Sequence, residues 1–149
     1  MSAVQASDSL VLHYAGDVTP EEAWSQLSQR DEAVLIDVRT QPEWTFSGLP
    51  NLRSIGKHTQ TLSWKLYPTM EVNPNFVSSL SEKITNKNAP LYFLCKTGGR
   101  SLDAAIAMTQ AGYTECYNVA HGFEGDRDEH GHRGTANGWK ASNLPWEQA

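Results

Sequence analysis

Residues 91–101 read LYFLCKTGGRS, an apolar run that stops at a thiol. Behind Cys95 come Lys96, Thr97, Gly98, Gly99, Arg100 and Ser101, which supply two cations, two glycines and two hydroxyls. In a parallel α/β sheet, ligands meet the carboxyl ends of strands opposite helix N-termini, and Cys95 stands at such an end. Gly98 and Gly99 can take positive φ, which lets successive N–H groups turn inward as an anion-binding nest. A helix predicted to open near Ser101 adds a partial positive charge, and Lys96 and Arg100 add whole ones. Such surroundings favour a nucleophilic thiolate and hold an anion against it. Taken alone, Cys95 would read as an inert core cysteine above a tight glycine turn. The conjunction of strand end, glycine pair, flanking cations and following helix selects the reactive thiolate.

The elements that must position this loop are legible in part. The segment from Asp17 to Gln29 has Thr19 as N-cap, Pro20 at the first helical position and Glu22 completing a capping box, with Ala23, Trp24 and Leu27 as the apolar stripe. Ala33–Val38 is a short apolar run suited to a buried strand, after which the chain turns polar at RTQPEW. LRSIG is a candidate strand, and residues 60–74 read as loop with a helical turn. Asn73-Pro74 opens a helix with Phe76, Val77, Leu80 and Ile84 on one face. A further helix carries Leu102, Ala105, Ile106 and Met108 and stops at Gly112. ECYNVA is the last predicted strand. Short strands alternating with helices give an α/β fold with a mainly parallel sheet.

The 149 residues suit one domain, read as 1–149 with a core at about 16–146. A hydrophobic content of 39% with 19% charged residues fits a globular fold. The net charge is −5 and Lys and Arg form no run, which argues against nucleic acid or an anionic membrane as partner. Two cysteines make no disulfide framework, and their spacing is not that of a metal site. The N-terminal residues show no basic n-region followed by an apolar stretch, so a cytoplasmic protein is expected. From Ala120 the periodicity ends in a Gly-rich, charged excursion, and residues 121–139 form an irregular insertion. There His121, His130 and His132 lie with Asp126, Asp128 and Glu129. Without regular structure to fix ligands, the segment reads as a solvated or lid-forming loop, and no metal or cofactor is assigned.

Four stretches together carry a family resemblance: LIDVRTQPEW, YFLCKTGGRSLDAA, AGYTECYNVAHGFEG and GWKASNLPW. They resemble a single-domain rhodanese, a sulfurtransferase, over about residues 16–146. The resemblance implies a parallel five-stranded sheet flanked by helices, and Cys95 carrying a sulfane sulfur as a persulfide cradled by the loop backbone from Lys96 to Arg100. Asp37 and Arg39 match the family's Asp-x-Arg element bordering the active-site side of the sheet; their structural alternative is a strand-end ion pair, with Glu43 as a partner for Arg39. The chain departs from the family pattern at Gly48-Leu49, where many members have Gly-His, and at HGFEG, where a Gly-Gly turn is usual. The implied partners are a small anionic donor such as thiosulfate and a thiol, cyanide or protein-thiol acceptor.

Two other readings remain. A cysteine phosphatase also sets a thiolate under an anion-binding loop, but its motif is C-x5-R, and Cys95 to Arg100 is C-x4-R. A non-catalytic module could bind a partner and only relay persulfide. Cys116 is a core residue on this reading. It starts its strand while Cys95 ends another, too far apart in level for a disulfide.

Overall fold

The computed structural model describes residues 13–148; residues 1–12, on which part of the N-terminal reading falls, lie outside the described residues. In chain order the elements are β1 (Gly16–Val18), α1 (Pro20–Gln29), β2 (Val34–Asp37), α2 (Gln41–Ser47) and β3 (Leu49–Pro50), then a 3-10 turn at Arg53–Ile55. They continue with β4 (Gln60–Thr61), β5 (Lys65–Leu66), β6 (Glu71–Val72), α3 (Phe76–Lys83), β7 (Leu91–Leu94), α4 (Gly99–Gln110), β8 (Cys116–Val119) and β9 (Trp146–Glu147). Five strands form one parallel sheet in the order β1-β8-β7-β2-β4. This is the expected α/β architecture, with helices on both faces. Among the described residues no helix is long and apolar enough to cross a membrane.

The period of two along β7 sorts the core into two layers. Leu91, Phe93 and Cys95 join Phe76 and Leu80 of α3 and Ala104, Ala105 and Met108 of α4 on one face. Tyr92 and Leu94 join Ala23 and Leu27 of α1, together with Phe123 and Trp139, on the other. The same parity puts Cys95 on the face where α4 begins.

Several local expectations are corrected. RTQPEW, read only as polar, opens a helix: Thr40 and Glu43 form a capping box that starts α2. LRSIG holds the 3-10 turn rather than a strand. Residues 60–74 contain β4 and the β5–β6 hairpin in place of a helical turn. On α4 the fully buried positions are Ser101, Ala104, Ala105 and Met108; Leu102 and Ile106 are only half-buried. Small residues let that helix sit close to the sheet.

The insertion has no helix or strand between residues 120 and 145, yet it is held at many points. Trp139 is fully buried and its indole Nε1 donates to Pro145 O at 2.8 Å. Trp139 packs edge-on against Trp24 of α1, with ring centroids 6.0 Å apart. Asp128 gathers the N–H groups of His130 and His132 at 2.8 and 2.9 Å and the Thr135 hydroxyl at 2.6 Å, and the last of these leads in holding its carboxyl low. No cluster of three or more metal-ligating side chains occurs among the described residues.

Candidate active site

Cys95 follows β7 directly and is 1% exposed. Gly98, at φ 113°, is the N-cap of α4, so the helix opens at Gly99, two residues before the sequence pattern placed it. Only Gly98 of the glycine pair uses a positive φ; Gly99 is already helical. The tight turn brings the Gly98 N–H to 3.0 Å from Cys95 Sγ, and the Ser101 hydroxyl lies 3.1 Å from the same sulfur. The thiol thus faces the positive end of a twelve-residue helix. Lys96 is half-buried and enters no ion pair among the described residues, while Thr97 is exposed.

Arg100 does not point a free charge at the sulfur. Its Nη1 and Nη2 donate to Glu43 Oε1 and Oε2 at 2.7 and 2.8 Å, a bidentate pair from the start of α4 to the first turn of α2. Burial raises the Glu43 pKa, but hydrogen bonds from Arg100 and Thr40 outweigh it and hold the carboxyl at about 2. The pair also pushes Arg100 further up. Glu43 is therefore the partner of Arg100 and not of Arg39.

Arg39 pairs with Asp37, and both side chains are fully buried. Arg39 Nε and Nη2 donate to Asp37 at 2.9 and 2.7 Å, and Nη2 also donates to Gly48 O at 2.7 Å. The guanidinium stacks on the Phe123 ring at 4.3 Å. Asp37 is in register with Leu94, one residue before the thiol. The Asp-x-Arg element thus joins the tip of β2, the end of α2 and the insertion into one brace beside Cys95.

The insertion closes the other side of the loop. Phe123 N–H donates to Cys95 O at 2.7 Å, and the Glu124 and Gly125 N–H groups donate to Lys96 O at 3.1 and 3.2 Å. Gly122, at φ 67°, passes so near that a Cβ there would stand 2.4 Å from Cys95 O.

Cys116 is in register with Leu91, four residues below Cys95, which at ~3.3 Å per residue separates the thiols' levels by roughly 13 Å. That is beyond disulfide reach. Burial pushes its thiol up to about 11.

Two contributors escaped the sequence reading, Gly122 and Asn118, the last a 5%-exposed amide that faces Ser101, and Glu43 was given the wrong arginine as partner. The Thr40-x-x-Glu43 capping box was readable as a helix start. The contact with Arg100 spans 57 positions and no local pattern announces it.

The sequence matches the family described as the STR4 middle domain over residues 15–149. It is 39% identical over 131 residues to the "Uncharacterized protein RP600 homolog" of Rickettsia rickettsii, covering 88% of this chain and 96% of that one. Rhodanese-like domain-containing protein 4, chloroplastic, of Arabidopsis thaliana is 30% identical over 132 residues, 88% of this chain and 25% of that protein. Thiosulfate sulfurtransferase GlpE of Actinobacillus succinogenes is 27% identical over 133 residues, 89% of this chain and 91% of that one. Among solved structures, the crystal structure of Rv0390 from M. tuberculosis superposes with a TM-score of 0.84 at 46% identity, covering 91% of this chain and 99% of that one.

Proposed function

The chain belongs to the rhodanese-like family, and from that premise we propose that it is a sulfurtransferase working through a persulfide on Cys95. The observation that carries this reading is the sulfur's position. It lies 3.0 Å from a backbone N–H at the N-terminus of α4, inside a loop with the C-x4-R spacing. That nest is one residue shorter than the phosphatase motif and fits a single sulfur better than a tetrahedral phosphate.

In the first half-reaction the Cys95 thiolate attacks the outer sulfur of thiosulfate or of a persulfide. A Cys95 S–S bond forms, the donor S–S bond breaks, and sulfite or a thiolate leaves with the electron pair. In the second, an acceptor thiolate or cyanide attacks the outer sulfur and Cys95 leaves as thiolate. No general base is needed once the thiolate exists, and each half-reaction is redox-neutral overall. Loop N–H groups meet the charge on the outer sulfur. With Arg100 bound to Glu43, Lys96 is the cation left to meet an anionic donor.

The test is intact mass after incubation with thiosulfate. A gain of one sulfur mapped to Cys95, lost on adding cyanide or a thiol, is the expected result. No gain with thiosulfate or a low-molecular-weight persulfide refutes the reading. Repeated turnover with small acceptors separates an enzyme from a module that only relays sulfur to a protein.

A further inference from the structure

The Cys95 sulfur is one end of a hydrogen-bonded chain that the sulfur-transfer steps do not use. Ser101 Oγ lies 3.1 Å from Cys95 Sγ and 2.6 Å from Asn118 Oδ1. Asn118 Nδ2 donates to Asp17 Oδ1 at 3.1 Å, and the Tyr14 hydroxyl donates to the same oxygen at 2.9 Å. Strand register accounts for the alignment: Asn118 pairs with Phe93 on one side and Asp17 on the other, and its side chain shares the face of Cys95.

The orientation of each group follows from counting donors. A carboxylate only accepts, so the atom of Asn118 facing Asp17 is its NH2 and the atom facing Ser101 is its carbonyl oxygen. The Ser101 hydroxyl has one proton and two acceptors before it. Ser101 is fully buried and Asn118 nearly so, and a bare amide oxygen there is costly.

The geometry points to Asn118 and Asp17 as positioning residues that keep the Ser101 proton on Asn118 and turn the Ser101 lone pairs toward Cys95. Ser101 then accepts from the S–H of a thiol. It donates to a thiolate only by turning away from Asn118 and leaving Oδ1 unpaired. Once a persulfide forms, the charge sits on the outer sulfur, and the inner sulfur asks nothing of Ser101. The chain therefore weights the site toward its two resting forms, thiol and loaded persulfide, against the bare thiolate between them. The remaining charged groups around the sulfur lie apart from this chain: Lys96 in the loop, Arg100 on Glu43, the Arg39–Asp37 pair, and His121 near Asp126 beyond Gly98.

The inference rests on Cys95 as the reacting thiol, but its test needs no sulfur transfer, so the two readings fail separately. The measurement is the pH profile of Cys95 alkylation by iodoacetamide, followed by mass, for the native protein, Asn118→Ala, Ser101→Ala and the double variant. Asn118→Ala releases Ser101 to donate to the thiolate. A hydrogen bond to an ionised group is worth about one pH unit, so the midpoint moves down by roughly that much. In the Ser101→Ala background the same substitution leaves the midpoint where it was, because Asn118 acts through the hydroxyl. Asp17→Ala, at an exposed position, removes the acceptor that fixes the Asn118 amide and gives the same direction, with the larger part of its shift absent in Ser101→Ala; it decides the matter if Asn118→Ala does not fold. A midpoint that stays or rises, or a drop that persists without the hydroxyl, overturns the proposal.

Discussion

Cys95 and Cys116 are the same residue type on the same face of one sheet, and burial does not distinguish them, at 1% and 0% exposed. Their neighbours do. Cys116 lies inside β8 among apolar side chains, with Tyr113 O at 3.9 Å, and burial, only partly offset by the Thr109 hydroxyl, pushes its thiol up to about 11. Cys95 lies past the end of β7, where the chain bends into a helix and presents an N–H, a hydroxyl and the start of α4. The lesson is that a strand interior uses its backbone donors on the ladder, whereas a strand end frees them for the side chain that follows.

The most drastic way to break this comparison is to exchange the thiols for hydroxyls. Cys95→Ser should abolish thiosulfate-to-cyanide turnover, and Cys116→Ser should stay within a few-fold of native. Equal losses in that assay would mean that the two environments do not differ in the way described.

A second test disturbs the strand end without touching a thiol. In Gly122→Ala the new Cβ would stand 2.4 Å from Cys95 O and 2.6 Å from Lys96 C, so the loop backbone must move. Turnover should fall by more than about tenfold and stability by ~1–3 kcal/mol in denaturant titration. Gly99→Ala meets no atom within 4 Å and lies in a helix, so its stability should hold or rise by up to ~1 kcal/mol. If both variants lose stability equally, close backbone approach is not what holds the loop.

The third removes the clamp. The Glu43 carboxyl has a folded value of about 2, below its ordinary 4.5. Its stabilisation is fully present above about pH 4.5 and is lost as pH falls toward about 2. Glu43→Gln should cost ~1–3 kcal/mol at neutral pH, with the difference from native narrowing below pH 4.5 in acid unfolding. A pH-independent difference would assign the loss to packing instead. The smallest expected effect is none at all: chelators should leave turnover unchanged, because the proposed steps use no metal.

Much of the fold was legible because long regular elements carry their own pattern. α1 announced itself through Thr19, Pro20 and Glu22, and β2, β7 and β8 through short apolar runs. The strands of two or three residues were not legible, since β1, β3 and β9 exist by pairing with distant partners and have no periodicity of their own. The same division runs through the site. The loop from Cys95 to Ser101 is contiguous and could be read. Glu43 reaches it across 57 positions, and Asp17 reaches Asn118 across 101. Proximity in sequence favoured Arg39 as the partner of Glu43, but two residues beyond Asp37 Arg39 turns back onto that carboxylate, and Glu43 is left to Arg100.

The insertion's grip on the loop can also be put in terms of peptide planes. A peptide unit turns over by swinging its C=O and N–H together, because the unit is planar and the two groups point opposite ways. Cys95 O is tied to Phe123, and Lys96 O to Glu124 and Gly125. The planes that carry the N–H groups of Lys96 and Thr97 therefore cannot flip while residues 123–125 stay in place. A stretch with no helix or strand thus works as a splint on the turn that follows Cys95. The amides of Phe123, Glu124 and Gly125 should exchange with solvent far more slowly than those of the exposed residues that follow, although nothing in their own backbone pattern would suggest such protection.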